Sequence, residues 1–274
     1  MSFLIDLIKT IVLGIIQGIT EWLPISSTGH LILFDSLWPM QPAEFFEVFK
    51  VVIQFGSILA VLVLYFRKLN PFDPKKSKKA KNDTFVLWKN VIIGVIPAAI
   101  IGLLLDDIIE DYLSVPFVIA VALITYGIIF IVVEKHPKKP SITKLEQLDW
   151  LTSLKIGFFQ CLALIPGTSR SGATILGGLY SGCTRYVASE FSFFIAIPVM
   201  AGASLLKVVK YFINVGWFTF GQFFLLLVGT IVSFIVSIIA IRALLNYVRK
   251  HDFTVFGWYR IVLGVFVLIF FMVL

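Results

Sequence analysis

Apolar residues fill runs of about twenty positions along this chain, the length a helix needs to cross a bilayer core, and short polar connections separate them. The pattern predicts ten helical segments, at 3–21, 27–38, 44–66, 85–104, 115–134, 151–164, 171–182, 186–211, 217–247 and 254–273. Six of these are long enough to span: 44–66, 85–104, 115–134, 186–211, 217–247 and 254–273. Segments 27–38 and 171–182 are too short, and each follows a break containing proline and hydroxyl residues. A broken helix at membrane depth survives only where protein or a cavity covers its freed backbone groups. Segments 3–38 and 151–182 are therefore predicted to form two re-entrant helical hairpins. The predicted fold class is all-α integral membrane, with six transmembrane helices plus the two hairpins.

The hairpins also repeat. Gly14 and Gln17 are echoed by Gly157 and Gln160, and the run Pro24, Ile25, Ser26, Ser27, Thr28, Gly29, His30 by the run from Pro166 to Gly172. Glu47 and Glu190 follow the two prolines at nearly equal distances. Each half of one polytopic domain, approximately 1–134 and 135–274, then holds one hairpin and three spans. An odd number of spans inverts the second half, which predicts an inverted-topology repeat with its site near the midplane.

Composition narrows the class. The chain is 59% hydrophobic and 14% charged, against about 25% charged in soluble domains. Soluble enzymes, secreted disulfide scaffolds and nucleic-acid modules are thereby excluded, and membrane lipid becomes the surrounding partner. The net charge of +7 resides mostly in the connections. Segment 67–84 holds Arg67, Lys68, Lys75, Lys76, Lys78, Lys79 and Lys81; segment 105–114 holds Asp106, Asp107, Glu110 and Asp111 and no Lys or Arg. Lys135, Lys138, Lys139 and Lys144, and then Arg249 and Lys250, return the basic side. Basic connections mark the cytoplasmic face, which predicts both termini on the outer face. Cys161 and Cys183 read as packing residues, and no cleavable leader is expected.

Ionisable groups inside apolar segments cost about 2.5–3.5 kcal/mol each at the bilayer centre, so they mark function by default. Here they are Glu21, His30, Glu47, Arg170 and Glu190. After Pro166 and Gly167, Thr168 and Ser169 can cap the next helix, whose first-turn N–H groups and Arg170 make a phosphate cradle. In the first hairpin, Gln17 and Glu21 share a helical face and offer hard oxygen ligands to Mg²⁺ or Ca²⁺. Ser27 and His30 lie three apart, a spacing suited to a hydroxyl and its base. Glu47 and Glu190 read as structural carboxylates that cap the following spans and hold the hairpins. Arg185 and Arg260 read as interfacial anchors or ion-pair partners.

Gln17 and Glu21, the 24–30 run, the stretch from Pro166 to Thr174 and the 188–193 run together resemble the bacterial undecaprenyl-diphosphate phosphatase family, also known as bacitracin-resistance proteins. The resemblance extends over essentially the whole chain. It implies a multi-pass enzyme of the bacterial cytoplasmic (inner) membrane, with its site opening to the outer side. Such an enzyme hydrolyses undecaprenyl diphosphate, recycles the carrier lipid for peptidoglycan synthesis and confers bacitracin resistance. The implied roles are Glu21, with Gln17, for the divalent ion; Ser27 as nucleophile; His30 in proton transfer; and Arg170 on the diphosphate. Ser26, Thr28, Ser169, Ser171 and Thr174 would complete the substrate site. Many members carry Glu where this chain has Gln17, which puts more weight on Glu21. Whether Ser27 or His30 is the nucleophile stays open, as does homodimerisation. The competing reading is a polyprenyl-phosphate transporter or flippase; pure transport needs no nucleophile.

Overall fold

A computed structural model describes residues 2–273, apart from the side chains of Ser2, Asp106, Asp107, Ile108, Glu110, Asp111 and Val273. The helices are α1 (Ser2–Thr20), α2 (Ser27–Leu37), α3 (Ala43–Leu64), α4 (Phe66–Leu69), α5 (Lys78–Ile108), α6 (Pro116–Lys135), α7 (Trp150–Cys161), α8 (Arg170–Tyr180), α9 (Arg185–Asn214), α10 (Phe220–Val248) and α11 (Thr254–Val273). Among the described residues the only β pairing is an isolated bridge between Ile142 and Cys183.

Among the described residues seven helices are long and apolar enough to cross a membrane, not six. The addition is α1, whose Phe3–Thr20 stretch meets both criteria; the break that follows it says nothing about the length of the helix before it. Residues 105–114 are not an open loop either, because α5 runs to Ile108 and continues as a π-helical turn, Ile109–Leu113. The four acidic side chains expected to mark that face lie outside the described side chains.

Both predicted breaks are present and built alike. α1 stops at Thr20, ahead of Pro24, which disfavours helix at Leu23. α7 tightens into a 3₁₀ turn, Leu162–Leu164, and ends at Pro166 and Gly167, the latter at φ 94°. The next helices restart from Ser26 and Ser169, which adopt left-handed φ values of 71° and 73°. Each of these serines accepts a hydrogen bond at its own Oγ from the amide three residues on, Gly29 N at 3.3 Å and Gly172 N at 3.2 Å. A cap bond of this kind offsets the cost of a left-handed non-glycine residue.

Close helix approach depends on missing side chains. α1 runs parallel to α10, with Gly14 against Gly229 and Gly18 against Val236. α7 runs parallel to α5, where a Cβ on Gly157 would fall 2.5 Å from the Gly94 carbonyl oxygen. The first pair of broken helices thus rests on a long helix of the second half, and the second pair on one of the first half. Between the halves, α3 packs antiparallel to α9, with Ser204 donating to the Val51 carbonyl and, just beyond the end of α3, Lys68 of α4 paired with Glu190. α6 packs antiparallel to α11 through Gly127 and Gly257. Small residues at such crossings let backbones touch where no hydrophobic drive exists between helices in lipid.

Candidate active site

The two breaks meet at Glu21, which is 6% exposed. Its Oε1 accepts from Arg170 Nη2 at 2.9 Å, and its Oε2 accepts from Ser27 Oγ and Gln17 Nε2, each at 2.9 Å. Gln17 reaches it because positions four apart share a helical face. Arg170 and Ser27 open their respective helices one residue after the left-handed serines. One carboxylate therefore gathers a hydroxyl from its own break and a guanidinium from the other.

Arg170 is held on several sides. Nη1 donates to the Ser192 carbonyl at 2.8 Å, and the guanidinium carbon lies 5.6 Å from the Trp22 ring centroid. Its Nε is buried without a hydrogen-bond partner. Such a donor is costly to leave unpaired, and an incoming phosphoryl oxygen is a chemically suited acceptor. Thr174 Oγ1 sits 2.6 Å from Ser192 Oγ, and Ser171 Oγ donates to the carbonyls of Glu21 and Leu23 at 3.0 and 3.2 Å. These two hydroxyls brace α8 against α9 and against the first break. Ser169 lies 3.1 Å from Ser171 through its Oγ and also caps α8.

His30 is not placed against Ser27. Its Nδ1 lies 2.7 Å from the Ser26 carbonyl, which can only accept, so Nδ1 carries the hydrogen. Its Nε2 then accepts from the Tyr259 hydroxyl, also at 2.7 Å. The imidazole thus ties the left-handed Ser26 to α11 while the hydroxyl of Ser27 points to Glu21. Thr28 faces a cavity of about 450 Å³ above the breaks, which Asp35, Glu47, Lys50, Pro166 and Lys207 also line.

Arg260 corrects the sequence reading. It is neither an interfacial anchor nor an ion-pair partner: it is fully buried on α11 and donates to backbone carbonyls only. Nη1 reaches the Pro24 oxygen at 3.0 Å, Nη2 the Gly167 oxygen at 2.9 Å, and Nε the Leu123 oxygen at 3.5 Å. A guanidinium presents five donors in a rigid fork, so it can hold two turns at once where an ammonium cannot. Arg185 does pair with a carboxylate, Glu134, at 2.6 Å.

The predicted capping roles of Glu47 and Glu190 are also not what the structure shows. α3 starts from Pro42 without a side-chain cap, and α9 is capped by Thr184. Both glutamates lie past the first turn, where free N–H groups have run out. Glu47 pairs with Lys50 and is 51% exposed at its side chain. Glu190 is buried and paired with Lys68 at 2.9 Å, tying α9 to α4. Sequence reasoning gave Ser192, Trp22 and Tyr259 no role. Ser192 carried a signal, a hydroxyl about two turns into an apolar helix, within the 188–193 run.

The oxygen set suits a hard cation. Gln17 is fully buried; its Nε2 donates to Glu21, and its Oε1 has no hydrogen-bond partner. Among the described residues no group of three or more His, Cys, Asp or Glu could hold a metal.

The chain matches the family model described as "Bacitracin resistance protein BacA" over residues 10–266. It is 54% identical over 267 residues to the undecaprenyl-diphosphatase of Latilactobacillus sakei, covering 96% of this chain and 97% of that one. It is 53% identical over 262 residues to the undecaprenyl-diphosphatase of Enterococcus faecalis, covering 94% and 95%. To undecaprenyl-diphosphatase 1 of Clostridioides difficile it is 53% identical over 272 residues, covering 99% and 98%.

Proposed function

Because this chain belongs to the bacitracin resistance protein family, we infer that it is an undecaprenyl-diphosphatase. It hydrolyses undecaprenyl diphosphate to undecaprenyl phosphate and inorganic phosphate, returning the carrier lipid to cell-wall synthesis. The observation that carries the chemistry is the Glu21 carboxylate shared by Ser27 and Arg170. A transporter needs a place for an anion, but it has no use for a hydroxyl hydrogen-bonded to a carboxylate beside that place.

The site residues support a two-step route. Ser27 Oγ attacks the terminal phosphorus while its proton passes to Glu21 Oε2, 2.9 Å away. A phosphorus–oxygen bond forms at Ser27, and the bond to the bridging oxygen breaks with its electron pair leaving on the lipid monophosphate. Water then attacks the phosphoserine; the departing Ser27 oxygen takes back the proton held on Glu21, the phosphorus leaves with the water oxygen as dihydrogen phosphate, and both the hydroxyl and the carboxylate are restored. Arg170 and the first-turn N–H groups of α8 neutralise the charge on the non-bridging oxygens; phosphoryl transfer depends chiefly on such positioning and electrostatics. Glu21 is favoured over His30 as the proton acceptor because His30 is engaged by Ser26 and Tyr259. Ser26 and Ser169 shape the two turns, and Thr28, Ser171 and Thr174 face or brace the substrate pocket.

Glu21 and Gln17 would hold a divalent cation, Mg²⁺ or Ca²⁺, with phosphate oxygens completing its shell. When bound, such an ion supplies Lewis-acid charge neutralisation at the phosphates. In the hydrogen-bond arrangement described above, Gln17 turns its nitrogen toward Glu21; ligation requires the amide to turn over and present its oxygen.

The exchange of long-helix partners between α1–α2 and α7–α8, and the antiparallel pairing of α3 with α9 and α6 with α11, support an inverted repeat with re-entrant hairpins. The basic connections support placing both termini outside and the 450 Å³ mouth toward the outer face of the bacterial inner membrane. The deciding experiment is phosphate release from undecaprenyl diphosphate by purified protein in detergent. Release without a second compartment supports hydrolysis; binding of the lipid without release would favour the carrier reading.

A further inference from the structure

A second cavity, of about 980 Å³, lies between the C-terminal ends of α6 and α10 and the turn from α8 into α9. α6 separates it from the mouth above the breaks: Ser114, ahead of that helix, lines the mouth, while Val132 and Val133 near its end line this cavity. Three cations face it, Lys138, Arg185 and Arg249, with one carboxylate, Glu134.

The charges are unequally spent. Glu134 is consumed by Arg185, which donates to it from Nε at 3.0 Å and from Nη2 at 2.6 Å, and by the Phe253 amide at 3.1 Å. Lys138 instead stands over the Tyr180 ring at 4.2 Å, and Arg249 over the Tyr186 ring at 4.9 Å. A ring face holds a cation without consuming its N–H donors in ordinary hydrogen bonds. Two positive groups are thus positioned by aromatic rings with donors to spare. Beside them the wall is apolar, formed by Val132, Val133, Leu179 and Val248. The cavity sits at the helix ends that carry the chain's basic connections, which in the orientation proposed above face the headgroups of an anionic leaflet.

We propose that this cavity binds the headgroup of an anionic glycerophospholipid, its phosphate between Lys138 and Arg249 and its acyl chains along the Val132–Leu179 wall. Free phosphate shares the anionic chemistry, but the apolar wall would gain nothing from it. The inference is independent of the hydrolytic reading, since it uses neither break.

The test titrates full-length protein in detergent with phosphatidylglycerol or phosphatidylcholine and counts bound lipid by native mass spectrometry. One tightly held phosphatidylglycerol is expected, with binding weakened by about tenfold or more in Lys138→Gln/Arg249→Gln. Phosphate release should be unchanged in that variant, and Lys138→Arg should keep the lipid. Because Lys138 is exposed, Lys138→Gln alone serves if the double variant is unstable. Equal affinity for phosphatidylcholine, undiminished binding in the Gln variants, or displacement of the lipid by equimolar inorganic phosphate would each overturn the proposal.

Discussion

Ser26 and Ser169 adopt the same left-handed backbone, φ 71° and 73°, and each caps the helix that follows it. They share the offset that separates Gly14 from Gly157, Gln17 from Gln160 and Glu47 from Glu190. In that register Ser27 corresponds to Arg170: the two breaks place a hydroxyl and a guanidinium at equivalent helix starts, and both reach Glu21. One turn thus serves two chemistries, according to the side chain set at the first helical position.

Substitution at the left-handed serines separates the cap from the backbone. Ser169→Gly loses the cap bond but relieves the positive φ, whereas Ser169→Ala loses the bond and keeps the strain, a difference of about 1 kcal/mol. Thermal melting in detergent should rank wild type above glycine above alanine. Alanine melting at or above glycine would contradict the account.

Arg170→Lys removes the fork that bridges Glu21 and the Ser192 carbonyl. Loss of one bidentate donor set at a charged transition state predicts a fall of about a hundredfold in kcat/KM. Steady-state phosphate release measures it, and near-normal turnover would remove Arg170 from the site.

Ser27 and His30 should part company. Ser27→Ala removes the attacking oxygen and should lower turnover by about a thousandfold or more. Tyr259→Phe removes only the hydroxyl that His30 accepts from, and should stay within about tenfold of wild type. Comparable losses in the two variants would return His30 to the chemical step.

Arg260→Met leaves the Pro24 and Gly167 carbonyls buried without their donors, at a cost of about 1–3 kcal/mol for each. The melting temperature should fall sharply, and Arg260→Lys should restore only part of it, because one ammonium cannot span both turns. Full rescue by lysine would show that charge, not the fork, is what matters there.

Glu21→Gln should abolish phosphate release together with its response to Mg²⁺ or Ca²⁺, and chelation should silence the wild type. A Glu21→Gln protein that still hydrolyses and still responds to magnesium would refute the ligand role.

The helices, the two breaks and the pairing of Glu21 with Arg170 were legible because each carries a strong local signal: twenty apolar residues, a proline among hydroxyls, a charge in an apolar run. The register of the repeat was less so. Pairing Pro24 with Pro166 misses by one residue, since the structure equates Pro24 with Gly167, whose carbonyls share Arg260. What recurs is a backbone conformation, and proline is only one way to approach it. Arg260 itself was misread because an arginine near a helix start looks alike whether it snorkels to water or binds carbonyls inside. α1 is long enough to span despite the break that follows it, and Pro42 and Thr184 hold the cap positions ahead of Glu47 and Glu190.

The central claim is that Glu21 from one break and Arg170 from the other act on a single diphosphate, and a double-mutant cycle of Glu21→Asp and Arg170→Lys on kcat/KM tests it most directly. Groups working on one phosphate as a unit should be grossly non-additive, with the double variant little worse than the weaker single one. Losses that simply multiply would mean that the two residues serve separate tasks.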